Sequence, residues 1–197
     1  MEPPKNLTEE QIQQHNVNFE QAVASLEGVI EIQDATKGIF GWFARRRIKK
    51  ALESLDICLK LVPNSWQSMW FAGKAHQALD EHETALGFFE QALSIENENP
   101  DVPREASIEA MTLGHAFKAE NYANEACKRN EKDHGLVANL ALALLLSKKV
   151  EDALNTAGRA VRMNPQDPLC GGVLRYIARI QSGEIPCPDK LNPASGL

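Results

Sequence analysis

The residues that could do chemistry in this chain are five histidines (His15, His76, His82, His115, His134) and four cysteines (Cys58, Cys127, Cys170, Cys187). A metal site legible in sequence needs ligands at short fixed spacings, such as HExxH or paired CxxC, so that one helix turn or knuckle delivers two of them to the same ion. Neither spacing occurs, so no metal site is expected. Gly171-Gly172 precedes an apolar stretch but lacks the spacing and lysine of a phosphate loop. Asn6-Leu7-Thr8 fits a glycosylation acceptor, yet Thr8 is better read as a helix cap. Glu96, Glu98 and Asp101 read as a solvated turn rather than an acid/base pair. No catalytic residue and no cofactor are expected from this inventory, and an enzyme is not the reading it supports.

A second kind of chemistry is available in the run Lys37, Arg45, Arg46, Arg47, Lys49, Lys50, interleaved with Phe40, Trp42 and Phe43 and uninterrupted by any acid. Basic and aromatic residues together suit an anionic membrane surface or RNA phosphates. The same residues also fit an exposed helix face whose aromatics pack inward. The net charge of −6 argues against a general nucleic-acid binder, which needs a basic footprint.

The elements that must position these residues follow from one periodicity. Ala51, Ala85, Ala119 and Ala153 are each 34 residues apart, and a small or apolar residue follows each at four and seven places: Leu55 and Cys58, Phe89 and Ala92, Ala123 and Ala126, Ala157 and Ala160. Spacings of four and three put these residues on one helix stripe, where small side chains let a second helix approach closely. A fixed period of this length points to stacked repeats burying their apolar faces on one another. The chain of 197 residues is long enough for a sizeable core. "MEPPKNLTEE" lacks the basic start and apolar run of a signal peptide, and the apolar run Leu136 to Leu146 is too short to span a bilayer. Scattered cysteines fit reduced thiols, with Cys58 as a buried hydrophobe, and a cytoplasmic location is expected.

These residues resemble the tetratricopeptide repeat (TPR), a helix–turn–helix of this length. Gly73 stands twelve residues before Ala85, where that family has the small residue at its helix crossing, and Ala141 stands likewise before Ala153. Pro63 and Pro165 close their repeats. The third repeat is the loosest, with Ser107 at the crossing and Glu131 at the closing position, and His76 stands for the family's packing tyrosine. The resemblance implies an all-α, right-handed superhelical solenoid of antiparallel helix pairs, about nine helices in all. The expected organisation is an N-terminal tail (1–7), one helical domain (8–182) and a flexible C-terminal tail (183–197). Within the domain, a divergent first repeat (8–63) precedes repeats at 64–97, 98–131 and 132–166 and a capping helix at 167–182. Thr8 and Gln11 form a capping-box pattern, opening one amphipathic helix to about Gln33. Either this helix serves as the first helix of repeat one, with about three turns added ahead of Ala51, or it is an extra cap. Asp167 and Pro168 are the N-cap and first residue of the last helix.

In the TPR family the first helix of each repeat lines the surface that holds a partner's peptide or helix. By register, the resemblance assigns that role to Gln67, Trp70, Lys74 and Gln77, then to Arg104, Ile108 and Met111, then to Ala138, Leu142 and Leu145. The alternative for Leu142 and Leu145 is burial against the final helix. The carboxylate-clamp subtype is departed from, because its positions here would be Trp70 and Lys74, Glu105, then Gly135 and Asn139, and Glu105 would repel a carboxylate. The expected function is therefore a non-catalytic interaction module (adaptor, co-chaperone or assembly factor) for another protein. The alternative is a peripheral anionic-membrane or RNA binder through residues 37–50. A homodimer through the N-terminal helix is a further expectation.

Overall fold

The computed structural model describes residues 7–30 and 41–191, so Lys37 and Phe40 of the basic-aromatic run lie outside the described residues. Among the described residues there are nine α-helices and no strand. They are α1 (Glu9–Leu26), α2 (Gly41–Leu61), α3 (Trp66–Ala78), α4 (His82–Leu93), α5 (Asp101–Thr112), α6 (Ala116–Arg129), α7 (His134–Leu146), α8 (Val150–Met163) and α9 (Pro168–Gln181). Where the sequence reads as one helical domain, the chain divides into two compact units, residues 1–96 and 97–197.

In the N-terminal unit α1 pairs with α2 and α3 with α4. The capping box at Thr8 and Gln11 starts α1, but the helix stops at Leu26, ahead of the expected Gln33, where Gly28 turns the chain at φ +68°. Because α1 packs along α2 as α3 does along α4, it takes the role of a first helix and is not an additional cap. Ala51 is the eleventh residue of α2, whereas Ala85, Ala119 and Ala153 are each the fourth residue of theirs. The insertion ahead of Ala51 is thus about two helical turns. The core contains Ala22, Leu26, Ile48, Ala51, Leu55, Ala72 and Ala75, with Phe19 and Phe71 packed against it. Gly73 has a steric reason to be glycine: a Cβ there would lie 2.6 Å from the ring of Phe89, which is fully buried.

In the C-terminal unit α5 pairs with α6, α7 with α8, and α9 closes on α7 and α8. Ala119, Ala123, Ala153, Ala157 and Ala160 are all at most 1% exposed, as the alanine phase requires. Ser107 fills the crossing position by donating its buried hydroxyl to the Ala119 carbonyl at 2.9 Å. The third repeat is therefore regular in register and differs only in how its crossing is satisfied. Asp133 caps α7 and Asp167 caps α9 through their carboxylates, and Pro168 opens α9.

One feature recurs at the end of the first helix in three repeats. Asp80, Gly114 and Lys148, again 34 residues apart, each adopt positive φ (62°, 78° and 62°) and turn the chain into the next helix. The following amide reaches back to the helix in all three: Glu81 N to His76 O, His115 N to Ala110 O, and Lys149 N to Leu144 O. This is the left-handed C-cap that glycine adopts freely and that costs an L-residue roughly 1–2 kcal/mol.

The described residues 183–191 of the C-terminal stretch lie along the helix ends of the C-terminal unit. Leu191 is 5% exposed and donates its amide to the Met111 carbonyl at 3.0 Å. Cys187 donates its thiol to the Leu145 carbonyl at 3.5 Å. The Lys148 ammonium donates to the Pro188 carbonyl and to Asp189, both at 2.8 Å. A stretch rich in proline has few amides to leave unpaired, so it can lie extended on helix ends without regular structure of its own.

Candidate functional site

Helices α1 and α3 of the N-terminal unit, the first helices of their pairs, build one continuous aromatic row. His15 stacks on Phe19 with centroids 6.1 Å apart, Phe19 meets Phe71 edge-on at 5.5 Å, and Phe71 meets Trp70 edge-on at 5.0 Å. The row arises because His15 and Phe19 are four residues apart on α1, on the stripe that faces the core. Trp70 and Phe71 are adjacent on α3 and so point about 100° apart, with Phe71 packed against the core and both half-buried. Lys74, one turn beyond Trp70, places its ammonium 6.0 Å from the indole centroid and donates to Gln77. Gln67 is exposed one turn earlier, while Trp70, Lys74 and Gln77 are half-buried. Among the described residues two buried ring nitrogens have no hydrogen-bond partner, Nε2 of His15 and Nε1 of Trp70, and both belong to this row. A buried donor left unmade costs about 1–3 kcal/mol, so this is a place where an incoming acceptor gains something. The sequence singles out Trp70 and not His15. The signal for it was the i,i+4 spacing to Phe19.

The C-terminal unit does not present its assigned residues in the same way. Met111, Ala138, Leu142 and Leu145 are at most 2% exposed, so they are core rather than contact surface. The carbonyls of Met111 and Leu145 accept from Leu191 and Cys187 of the C-terminal segment. Arg104 is engaged by Asp101 at 2.8 Å and by Glu105 at 3.0 Å, and Ile108 is half-buried. Glu105, expected to repel an incoming carboxylate, is itself 3% exposed.

The basic run is also divided by the fold. Trp42 and Phe43 are each 59% exposed on the two added turns of α2 and meet edge-on at 4.9 Å. Arg46 lies 5.6 Å over Trp42, and Arg45, Lys49 and Lys50 are exposed nearby. Arg47 is a structural cap: its guanidinium donates to the carbonyls of Ala24 at 3.2 Å and Glu27 at 2.8 Å, at the end of α1. On α1, Ile12 and Val17 are 46% and 56% exposed.

Of the other candidates, His76 packs: it stacks on Phe88 at 5.3 Å and pairs with Glu81 at 2.6 Å. His134, Asp167 and Cys170 have ligand atoms within 4.8 Å of one another, a cluster no sequence spacing revealed because α7 and α9 bring it together. Its atoms are already paired, His134 Nε2 to Asp167 Oδ2 at 2.8 Å and Cys170 Sγ to the same oxygen at 3.6 Å. Burial and the adjacent Asp167 push the Cys170 thiol up to about 11, so it stays protonated. Cys127 lines a cleft of about 700 Å³ with Lys128, Arg159 and Met163, and burial likewise raises its thiol to about 11, the wrong direction for a nucleophile. No described helix is long and apolar enough to cross a membrane.

No family model and no curated protein matches this sequence. Solved structures do. MamA (residues 41 to the end) from Desulfovibrio magneticus RS-1 is similar with a TM-score of 0.69 at 12% identity, covering 90% of this chain and 88% of that one. YrrB, described as a TPR protein with an unusual peptide-binding site, is similar with a TM-score of 0.62 at 18% identity, covering 88% and 91%. The first TPR of Spaghetti (RPAP3), solved bound to an HSP90 peptide SRMEEVD, has a TM-score of 0.55 at 17% identity, covering 59% and 93%. These likenesses show the fold: the chain is all-α, with the helix hairpins of the tetratricopeptide repeat.

Proposed function

We propose that this chain is a non-catalytic protein-interaction module that holds a peptide or helical segment of another protein on the inner helices of its N-terminal unit. The observation that carries this reading is the aromatic row His15–Phe19–Phe71–Trp70, with two ring nitrogens unpaired and Lys74 beside it. Such a surface suits a segment with an apolar anchor for the indole and an acceptor or carboxylate for the indole N–H and ammonium. That YrrB is described as having a peptide-binding site, and that the RPAP3 domain was solved with a bound peptide, supports the class of ligand on a shared fold. Adaptor, co-chaperone and assembly-factor roles are all served by such a surface.

A displayed random-peptide library selected on the intact chain tests the site. Binders are expected to lose at least tenfold in affinity on Trp70→Ala and on Lys74→Glu, with helical circular dichroism retained. Peptides that bind both variants as well as the intact chain would remove α3 from the reading.

A second reading rests on Trp42 and Phe43, exposed beside Arg45, Arg46, Lys49 and Lys50 on turns that the other repeats lack. We propose that these turns rest on an anionic membrane surface. Binding to phosphatidylserine vesicles should fall steeply between 50 and 300 mM salt, because the Debye length shrinks from about 14 Å to about 6 Å over that range. Binding absent at low salt sinks this reading.

A further inference from the structure

The C-terminal segment 184–191 is seated as a ligand would be. It runs from the end of α9 past the end of α7 to the end of α5, meeting Leu145 and Lys148 first and Met111 and Gly114 afterwards. Helix C-termini carry unpaired carbonyls and partial negative charge, so they favour donors. At two helices in turn the segment adds a donor to a carbonyl that already accepts an amide of its own turn: the Cys187 thiol to the Leu145 carbonyl, which also takes the Lys148 amide, and the Leu191 amide to the Met111 carbonyl, which also takes the Gly114 amide. Its own acceptors, the carbonyls of Cys187 and Pro188 and the carboxylate of Asp189, converge on the Lys148 ammonium at 3.4, 2.8 and 2.8 Å.

The two repeats that receive it are shaped for it at one register position. At Gly114 an added Cβ would lie 2.9 Å from the Asp189 carbonyl oxygen, so only glycine lets the backbone pass. At Lys148 the chain accepts a left-handed backbone at a residue that disfavours it, and that residue is the one whose side chain grips the segment. The corresponding turn of the N-terminal unit carries Asp80, whose charge would repel the same ligand. Yet the grip is shallow: apart from Leu191, every residue from Glu184 to Lys190 is exposed or half-buried, and Asp189 is 95% exposed.

We infer that residues 184–191 are a built-in, exchangeable occupant of the α5–α7 edge, held in place of an extended partner segment of the same chemistry. That segment would present a small donor, a proline, an acid and, two residues on, an aliphatic side chain, in the order of Cys187, Pro188, Asp189 and Leu191. The site is separate from the Trp70 surface, so either can fail without the other.

The full-length chain tests this through Cys187, because Cys58, Cys127 and Cys170 are buried. Leu191→Asp is expected to raise the maleimide alkylation rate of Cys187 at least tenfold, with helical circular dichroism unchanged. Lys148→Glu, which cannot act through a misfolded apolar pocket, is expected to do the same. A fluorescent peptide with the sequence of residues 183–197 should then bind the Leu191→Asp chain, whose receiving site is intact, at least tenfold more tightly than it binds the intact chain, and should bind the Lys148→Glu chain, which lacks the gripping ammonium, no better than the intact chain. Cys187 alkylated at one rate in all three proteins, or a Leu191→Asp chain that takes up no peptide, would overturn the inference.

Discussion

The inner helices of the two units end in the same turn and differ in what lies on them. In the N-terminal unit α3 ends at Asp80, exposed, and its aromatic row keeps two ring nitrogens unpaired. In the C-terminal unit α5 and α7 end at Gly114 and Lys148, and the chain's own segment pairs with the carbonyls and the lysine there. The repeat thus supplies one scaffold twice, and the residue placed at its left-handed turn decides whether the edge accepts an extended chain. The same holds at the helix crossings, where glycine makes room for Phe89 in one unit and serine makes a hydrogen bond in the other.

The crossings give the largest expected effect. Gly73→Ala drives a methyl to within 2.8 Å of three atoms of a ring that is fully buried and has nowhere to move. Overpacking of this kind costs about 1–3 kcal/mol. Ser107→Ala should cost about 1 kcal/mol or less, because it removes one buried hydrogen bond without adding volume. Urea unfolding followed by circular dichroism reads both. If the serine variant is the less stable of the two, the tight crossing is not in the N-terminal unit.

The left-handed turns give an effect about half as large, with a size that separates the units. Asp80→Gly relieves a strained backbone at an exposed residue, so a gain of up to about 1 kcal/mol is expected. Lys148→Gly relieves the same strain but loses the contacts to Cys187, Pro188 and Asp189, so its gain in stability should be smaller. Equal gains in melting temperature would mean that Lys148 contributes nothing to holding the segment.

The fold was legible because packing at close helix crossings admits few residue types, and the alanine phase reports that constraint in every repeat. The extra turns of α2 were legible only in part: ten helical residues precede Ala51 against three ahead of each other phased alanine, about two turns where the spacing suggested about three. The candidate site was less legible. Register identified Trp70 and Lys74, which answer to their own helix, but it also assigned Met111 and Leu142, whose burial depends on chain elsewhere. A period of 34 residues says which side chains face inward along a helix. It carries no information about a non-repeating segment that comes to lie on top, and residues 184–191, with their prolines, have no period to read. Arg47 misled for a related reason: its charge placed it in a patch, while two carbonyls twenty and more residues earlier claim its guanidinium.

The smallest effect concerns acid. The Lys148 ammonium holds the Asp189 carboxyl below the usual carboxylate range, and that carboxylate in turn raises Lys148. A carboxyl whose value is lowered on docking contributes above its free value and loses that contribution as pH falls through the lowered one. A lysine whose value is raised contributes below its free value and loses it as pH rises through the raised one. The docked segment is therefore favoured across neutral pH and loosens at both extremes, the acid side being the accessible one. Asp189 is almost fully exposed, so solvent screens the pair and the carbonyl contacts of Cys187 and Pro188 to Lys148 survive protonation. Amide hydrogen exchange at Leu191 should accelerate only a few-fold, after correction for intrinsic rates, between pH 6 and pH 3, whereas amides of α3 in the other unit should not follow it. Acceleration of both together would report global acid unfolding and would erase the distinction between the two inner faces.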